Sequence, residues 1–185
     1  MKPQSLQDLW VDELRDLYNA ENQIVKALPK LARSADSDEL STAFEAHLEQ
    51  TREHIERLEQ IFDELEKSPK GKKCAGMEGL LDEGKEFLEE DPEGAVLDAG
   101  LIGGAQKVEH YEIAAYGTAI AHANILAKSR AAELLEQTLQ EEKDTDERLT
   151  QLASRINPET EGEEEESEYA GASGRSSRRG TSRSR

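Results

Sequence analysis

Glu21, Glu109 and Glu142 each interrupt an apolar helical stripe, and His47 and His54 interrupt another. A carboxylate set where a bundle keeps its oil is costly unless it is paired or binds a metal ion. Acids and imidazoles of this kind, drawn from four separate helices, point to a cation held in the interior. Carboxylates bridge hard cations and imidazoles take terminal positions, so the chemistry implied is that of a carboxylate-rich iron or manganese centre.

Four long helices must position these groups. From Ser5, whose spacing to Asp8 suits a helix cap, to about Arg33 the period is helical. At 100° per residue, Trp10, Leu14, Leu17, Ile24 and Leu28 fall within roughly 60° of Glu21. After a turn near Ser34–Asp38, with Asp36 and Glu39 expected as its capping pair, a second helix runs to about Lys67 on Leu40, Phe44, Leu58 and Ile61. Ser68-Pro69-Lys70-Gly71 is a break. A short amphipathic piece follows at about Met77–Glu90, then a helix at about Ala95–His122. The last helix, capped at Ser129, ends near Ile156. Short links join the first pair and the last pair, and nearly thirty residues lie between the pairs. That connectivity predicts an all-α, ferritin-like antiparallel four-helix bundle with a long crossover carrying a short fifth helix.

Counting outward from the two turns puts Glu21 opposite Gln50 and Glu109 opposite Glu142, all at one level. Di-iron and di-manganese carboxylate proteins take a Glu from each of two helices and a Glu followed by a His from each of the others. Glu21 and Glu109 match the lone acids, and His54 matches a histidine position. Glu142 is followed one turn on by Asp146 in place of His, and Glu112 is an extra candidate. Gln50 stands where a bridging acid is expected, which supplies an oxygen but no charge. The expected ligands are Glu21, Gln50, His54, Glu109, Glu112, Glu142 and Asp146, with His47, Tyr18 and Tyr116 around them.

The formal net charge of −18 excludes general nucleic-acid binding and suits a protein that attracts cations. The single cysteine, Cys74, excludes an internal disulfide and fits a reducing compartment. No apolar run spans a membrane and the start lacks a signal-type stretch, so a cytoplasmic protein is expected. Residues 1–157 form the expected bundle. From Pro158 an acidic block, Glu163–Glu166, gives way to Arg, Ser and Gly with no apolar periodicity, and residues 158–185 are expected to be disordered.

Glu13–Glu21, Ala43–Thr51, Ile55–Glu59, Cys74–Leu80, Gln106–Ile113 and Glu141–Asp146, in that order, resemble the YciF/YciE family of bacterial ferritin-like proteins. The resemblance covers about residues 5 to 155. It implies a ferritin-like bundle related to rubrerythrin and manganese catalase, a homodimer, and a part in bacterial stress responses. Gln and Glu alternate in that family at the position of Gln50. The family name assigns no reaction.

Two functions compete. One is a di-metal oxidoreductase, of peroxidase, catalase-like or ferroxidase type, whose iron or manganese meets peroxide or dioxygen. The other is a non-catalytic helical dimer, a stress scaffold whose buried acids are paired within the protein.

Overall fold

The computed structural model describes residues 3–158 and Thr160. Five helices follow in order: α1 (Leu6–Ser34), α2 (Asp38–Glu64), α3 (Ala75–Glu89), α4 (Gly94–Ile125) and α5 (Ser129–Ile156). The fold is the all-helical bundle expected from the sequence. The tail expected to be disordered lies outside the described residues apart from Pro158 and Thr160.

Local chemistry sets the helix ends. Ser5 Oγ accepts from the Asp8 amide at 3.1 Å and opens α1. For α2 the cap is Ser37, whose Oγ accepts from the Leu40 amide at 3.4 Å, not the expected Asp36–Glu39 pair. The amides of Asp36 and Ser37 both donate to the carboxylate of Asp98, buried on α4, at 2.8 Å each. One acid therefore pins the α1–α2 turn to α4. Ser129 is the first residue of α5 and not its cap. Ala127 closes α4 at φ 52°, where its neighbour Lys128 donates its amide to Ala123 O at 2.9 Å.

Contacts across the bundle define its topology. Glu13 meets His122, Glu21 meets Tyr116 and the Asp36 amide meets Asp98, so α1 and α4 run antiparallel. Glu39 with Arg155, and Arg57 with Thr138, make α2 and α5 antiparallel as well. The long crossover that carries α3 makes this arrangement possible, since it returns the chain to the far end before α4 begins. α3 packs on α4 and α1, burying only Met77 outright.

The core comes in two compartments. One gathers Ile24, Leu28, Leu40, Phe44, Ile102 and Leu149. The other gathers Trp10, Leu14, Leu58, Phe62, Ala119 and Leu135. Apart from Asp98 at the α1–α2 turn, the buried polar residues of α1, α2, α4 and α5 gather where these two sets meet. The bundle thus has a polar waist with apolar packing on either side.

Candidate metal centre

Each long helix contributes to that waist. Glu21, His47, His54, Glu109, Glu112 and Glu142 are all buried, and three of them have no measurable exposure: Glu21, Glu112 and Glu142. One ligand atom each from His47, Glu109, Glu112 and Glu142 lies within 4.8 Å of the others, and the same holds for Glu21, His54 and Glu142. Glu142 belongs to both groups and so joins two adjacent cradles. On α2 the histidines are seven residues apart, two turns on one face, which puts one in each cradle.

Hydrogen bonds aim the imidazoles. His54 Nε2 lies 2.9 Å from Glu141 Oε2, and Arg57 clamps both oxygens of Glu141 at 2.6 and 2.9 Å. The carboxylate holds the proton on Nε2 and turns Nδ1 inward, 3.0 Å from Glu142 and 3.5 Å from Glu21. His47 presents the opposite nitrogen: Nε2 lies 3.3 Å from Glu109 and 4.0 Å from Glu142, while Nδ1 faces the Thr145 hydroxyl at 3.5 Å. Tyr116, fully buried, donates a short hydrogen bond to Glu21 Oε1.

Charge is crowded here. Burial, then the nearby Glu142 carboxylate, pushes Glu109 well above the usual range. Burial, followed by Glu21, Glu142 and Glu109, does the same to Glu112. Burial also raises Glu21, though His54 opposes it. Glu142 goes the other way: His54 and His47 hold it below its ordinary value despite burial. For His54, burial favours the neutral ring, but Glu21, Glu141 and Glu142 together push it up to about 12. Burial lowers His47. Glu141, half-buried, is opposed by desolvation yet drawn down to about 2 by its bonds to His54 and Arg57.

The donor set fits a metal on one direct observation. Glu21 Oε2, His47 Nε2, Glu109 Oε2, Glu142 Oε2 and both oxygens of Glu112 are buried without a hydrogen-bond partner, and His54 Nδ1 and Glu142 Oε1 face each other at 3.0 Å. Buried polar groups ordinarily find partners. Among the described residues the unpartnered buried atoms belong to the two cradles alone, and they are the oxygen and imidazole donors that iron and manganese accept.

The other expected residues are placed differently. Gln50 is half-buried, its side chain hydrogen-bonded to His47, and it lines the same cavity as His47 and Glu109. Asp146 faces the edge of the bundle, where it accepts from Gln106 at 3.1 Å and lies 3.5 Å from His110. Tyr18 turns away, donating to Glu59 at 2.9 Å and packing edge-on against Phe62. His47, expected beside the site, lines one of the two cradles. Glu141 and Arg57 went unmarked in the sequence, where each looks like an ordinary surface charge. The signal available was an Arg one turn after His54 on the same face.

A cavity of about 180 Å³ reaches this waist from one side, with His47 and Glu109 in its wall among Ile24, Leu28, Phe44 and Leu149. Nearby, Tyr111 donates to Asp16 at 2.8 Å and lies 2.9 Å from Cys74 Sγ. Cys74 also takes the cap position of α3, and burial raises its thiol. That argues against the lowered thiol its neighbours Lys72 and Lys73 would suggest.

Four antiparallel helices with this connectivity, around a carboxylate and histidine waist, define a ferritin-like bundle. The chain belongs to the family described as "Domain of unknown function (DUF892)", which it matches over residues 5–161. It is 47% identical over 154 residues to Protein YciF of Escherichia coli K12, covering 83% of this chain and 93% of that protein. The crystal structure of that E. coli stress protein superposes with a TM-score of 0.82 over 84% of this chain and 99% of its own. YcfI of Rhodopseudomonas palustris is 43% identical with a TM-score of 0.78, covering 80% of this chain and 95% of its own. A dodecameric thioferritin of Bacteroides fragilis, at 17% identity and a TM-score of 0.67, covers 85% of this chain and 91% of its own; it shares the fold. Among the described residues no helix is long and apolar enough to cross a membrane.

Proposed function

We propose that this chain binds a pair of iron or manganese ions in its waist and serves in peroxide, dioxygen or iron redox chemistry during stress, as a cytoplasmic homodimer. The observation that carries this reading is the set of unpartnered buried atoms, confined among the described residues to Glu21, His47, His54, Glu109, Glu112 and Glu142. Glu109, Glu112 and His47 would hold one ion, Glu21 and His54 the other, and Glu142 would lie between them. Bound there, such ions supply one-electron exchange with an oxidant and a Lewis-acid site. The protein's share is to orient and to exclude water. Glu141 fixes the His54 ring, Arg57 fixes Glu141, and the Tyr116 hydroxyl holds a proton against Glu21. The cavity at His47 and Glu109, lined by Ile24, Leu28, Phe44 and Leu149 together with Gln50, Asp144, Thr145 and Arg148, would give a small oxidant a way in.

A scaffold with internally paired charges is the second reading, favoured by the closeness of His54 to Glu21 and Glu142. Glu112 argues against it, because neither oxygen has a hydrogen-bond partner. Elemental analysis after purification, then loading with Fe(II) or Mn(II) and measurement of peroxide turnover, separates the two. The metal reading expects about two ions per chain, the number its cradles provide for, and loss of metal in Glu109→Ala. It fails if neither ion binds, or if binding is unchanged by Glu109→Ala.

A further inference from the structure

α3 is an incomplete cover. Only Met77 of its apolar face is fully buried, while Leu80, Leu81, Phe87 and Leu88 are half-buried. Beneath it runs a second cavity of about 400 Å³ between α1, α3 and α4. That volume lies in the usual range for small-molecule sites. It shares Ala27, Leu31, Leu81, Ala105 and Val108 with the cavity that ends at His47 and Glu109, so the two adjoin along one aliphatic wall between the surface and the waist.

The charges at the outer end are selective. Lys26 and Lys30 of α1 lie on the rim, both exposed, and neither makes an ion pair among the described residues. The other rim cation, Lys85, pairs with Glu89 at 3.6 Å, and Glu78 pairs with Lys73. Asp82 is the remaining acid on that rim. In a chain of net charge −18, two uncommitted ammonium groups one helical turn apart at the mouth of an aliphatic passage match a molecule with an anionic head and an apolar tail.

We propose that the passage under α3 binds a free fatty acid, its carboxylate against Lys26 and Lys30 and its chain running past Leu31 and Leu81. The end of the chain then points toward His47 and Glu109. Binding rests on the groove alone; only the meeting of the chain end with a metal rests on the proposed centre.

The test uses the full chain after chelation, titrated calorimetrically with octanoate, decanoate and dodecanoate. Affinity is expected to rise by about tenfold for each two methylenes added, as burial of a hydrocarbon chain requires. Lys26→Ala combined with Lys30→Ala is expected to weaken dodecanoate by about tenfold and leave dodecanol unchanged, the mark of a charge-assisted contact. Leu81→Trp, which fills the passage from the partly exposed helix, is expected to abolish both while circular dichroism stays native. No binding of dodecanoate, affinity independent of chain length, or affinity unchanged by Leu81→Trp would overturn the proposal. With Mn(II) restored, a ¹³C-labelled terminal methyl is expected to broaden. If the acid binds the chelated protein and elemental analysis finds manganese but the methyl stays sharp, the proposed direction of the chain is wrong. If no manganese binds, it is the metal centre that fails.

Discussion

Replacing Glu112 with methionine should make the metal-free protein more stable and the metal-loaded protein less so. The side chain has no exposure, neither oxygen has a hydrogen-bond partner, and burial together with Glu21, Glu142 and Glu109 disfavours its charge. A buried polar group left without a partner costs about 1–3 kcal/mol. Methionine is unbranched and adaptable, so it can follow the path of the glutamate with little strain. A gain of about 2 kcal/mol corresponds to roughly 4–8 °C in a domain of this size. Thermal melts of wild type and Glu112→Met, with and without chelator, measure it. In chelator the variant should melt higher; with Fe(II) or Mn(II) the order should reverse, because the variant loses a ligand that stabilises by binding only the folded state. If Glu112→Met lowers the melting temperature equally in both conditions, the carboxylate is held by protein partners, and the case for a buried ion collapses.

Glu141→Gln should weaken metal binding by about 10–100-fold, the usual cost of losing a carboxylate behind a ligating histidine, while the melting temperature in chelator moves little; competition with a fluorescent chelator reads it. Folded Glu21, Glu109, Glu112 and His54 all hold their protons more tightly than ordinary side chains, whereas buried His47 opposes them. A raised folded pKa stabilises at low pH and loses that contribution as pH rises, so the chelated protein should melt lower at about pH 8 than at about pH 5. Metal competes for the same protons, so affinity for Mn(II) should rise over that interval and binding should release protons, which calorimetry in buffers of different ionisation enthalpy detects. Identical melts at the two pH values would contradict the crowding described. Ala127→Gly should stabilise by about 1 kcal/mol, since glycine adopts the left-handed closing residue of α4 freely; denaturant titration checks it.

Much of this architecture is legible in the residues because of its periodicity. Trp10 through Leu28 mark one face, and the link lengths alone separate a ferritin-like bundle from a simple up-and-down one. Glu21, His54, Glu109 and Glu142 stand out for the same reason, as polar groups breaking an apolar stripe. Asp146 shows where such counting stops. It follows Glu142 by one turn, but the 40° drift over four residues carries it to the rim, where Gln106 and His110 receive it. Gln50, at the edge of the α2 stripe, is half-buried and reaches His47 through its side chain. Glu141 is hidden for the opposite reason: next to Glu142 and half-exposed, it carries no pattern of its own, and its role comes from Arg57 and His54 on another helix. Asp98 is similar, since nothing in its local sequence announces the two amides of the α1–α2 turn that it accepts from.

Most helical bundles loosen from their tips, where fraying is easy. Here the oil lies toward both ends and the unbalanced charges lie at mid-height. Stripped of cations, such a molecule should breathe at its centre, with the amides around Ala20, Thr51 and Glu109 losing more exchange protection than those deep in either apolar half. An ion would then work as a rivet between two half-bundles, coupling them into a single cooperative unit. Each half would otherwise be free to repack on its own as its sequence changes.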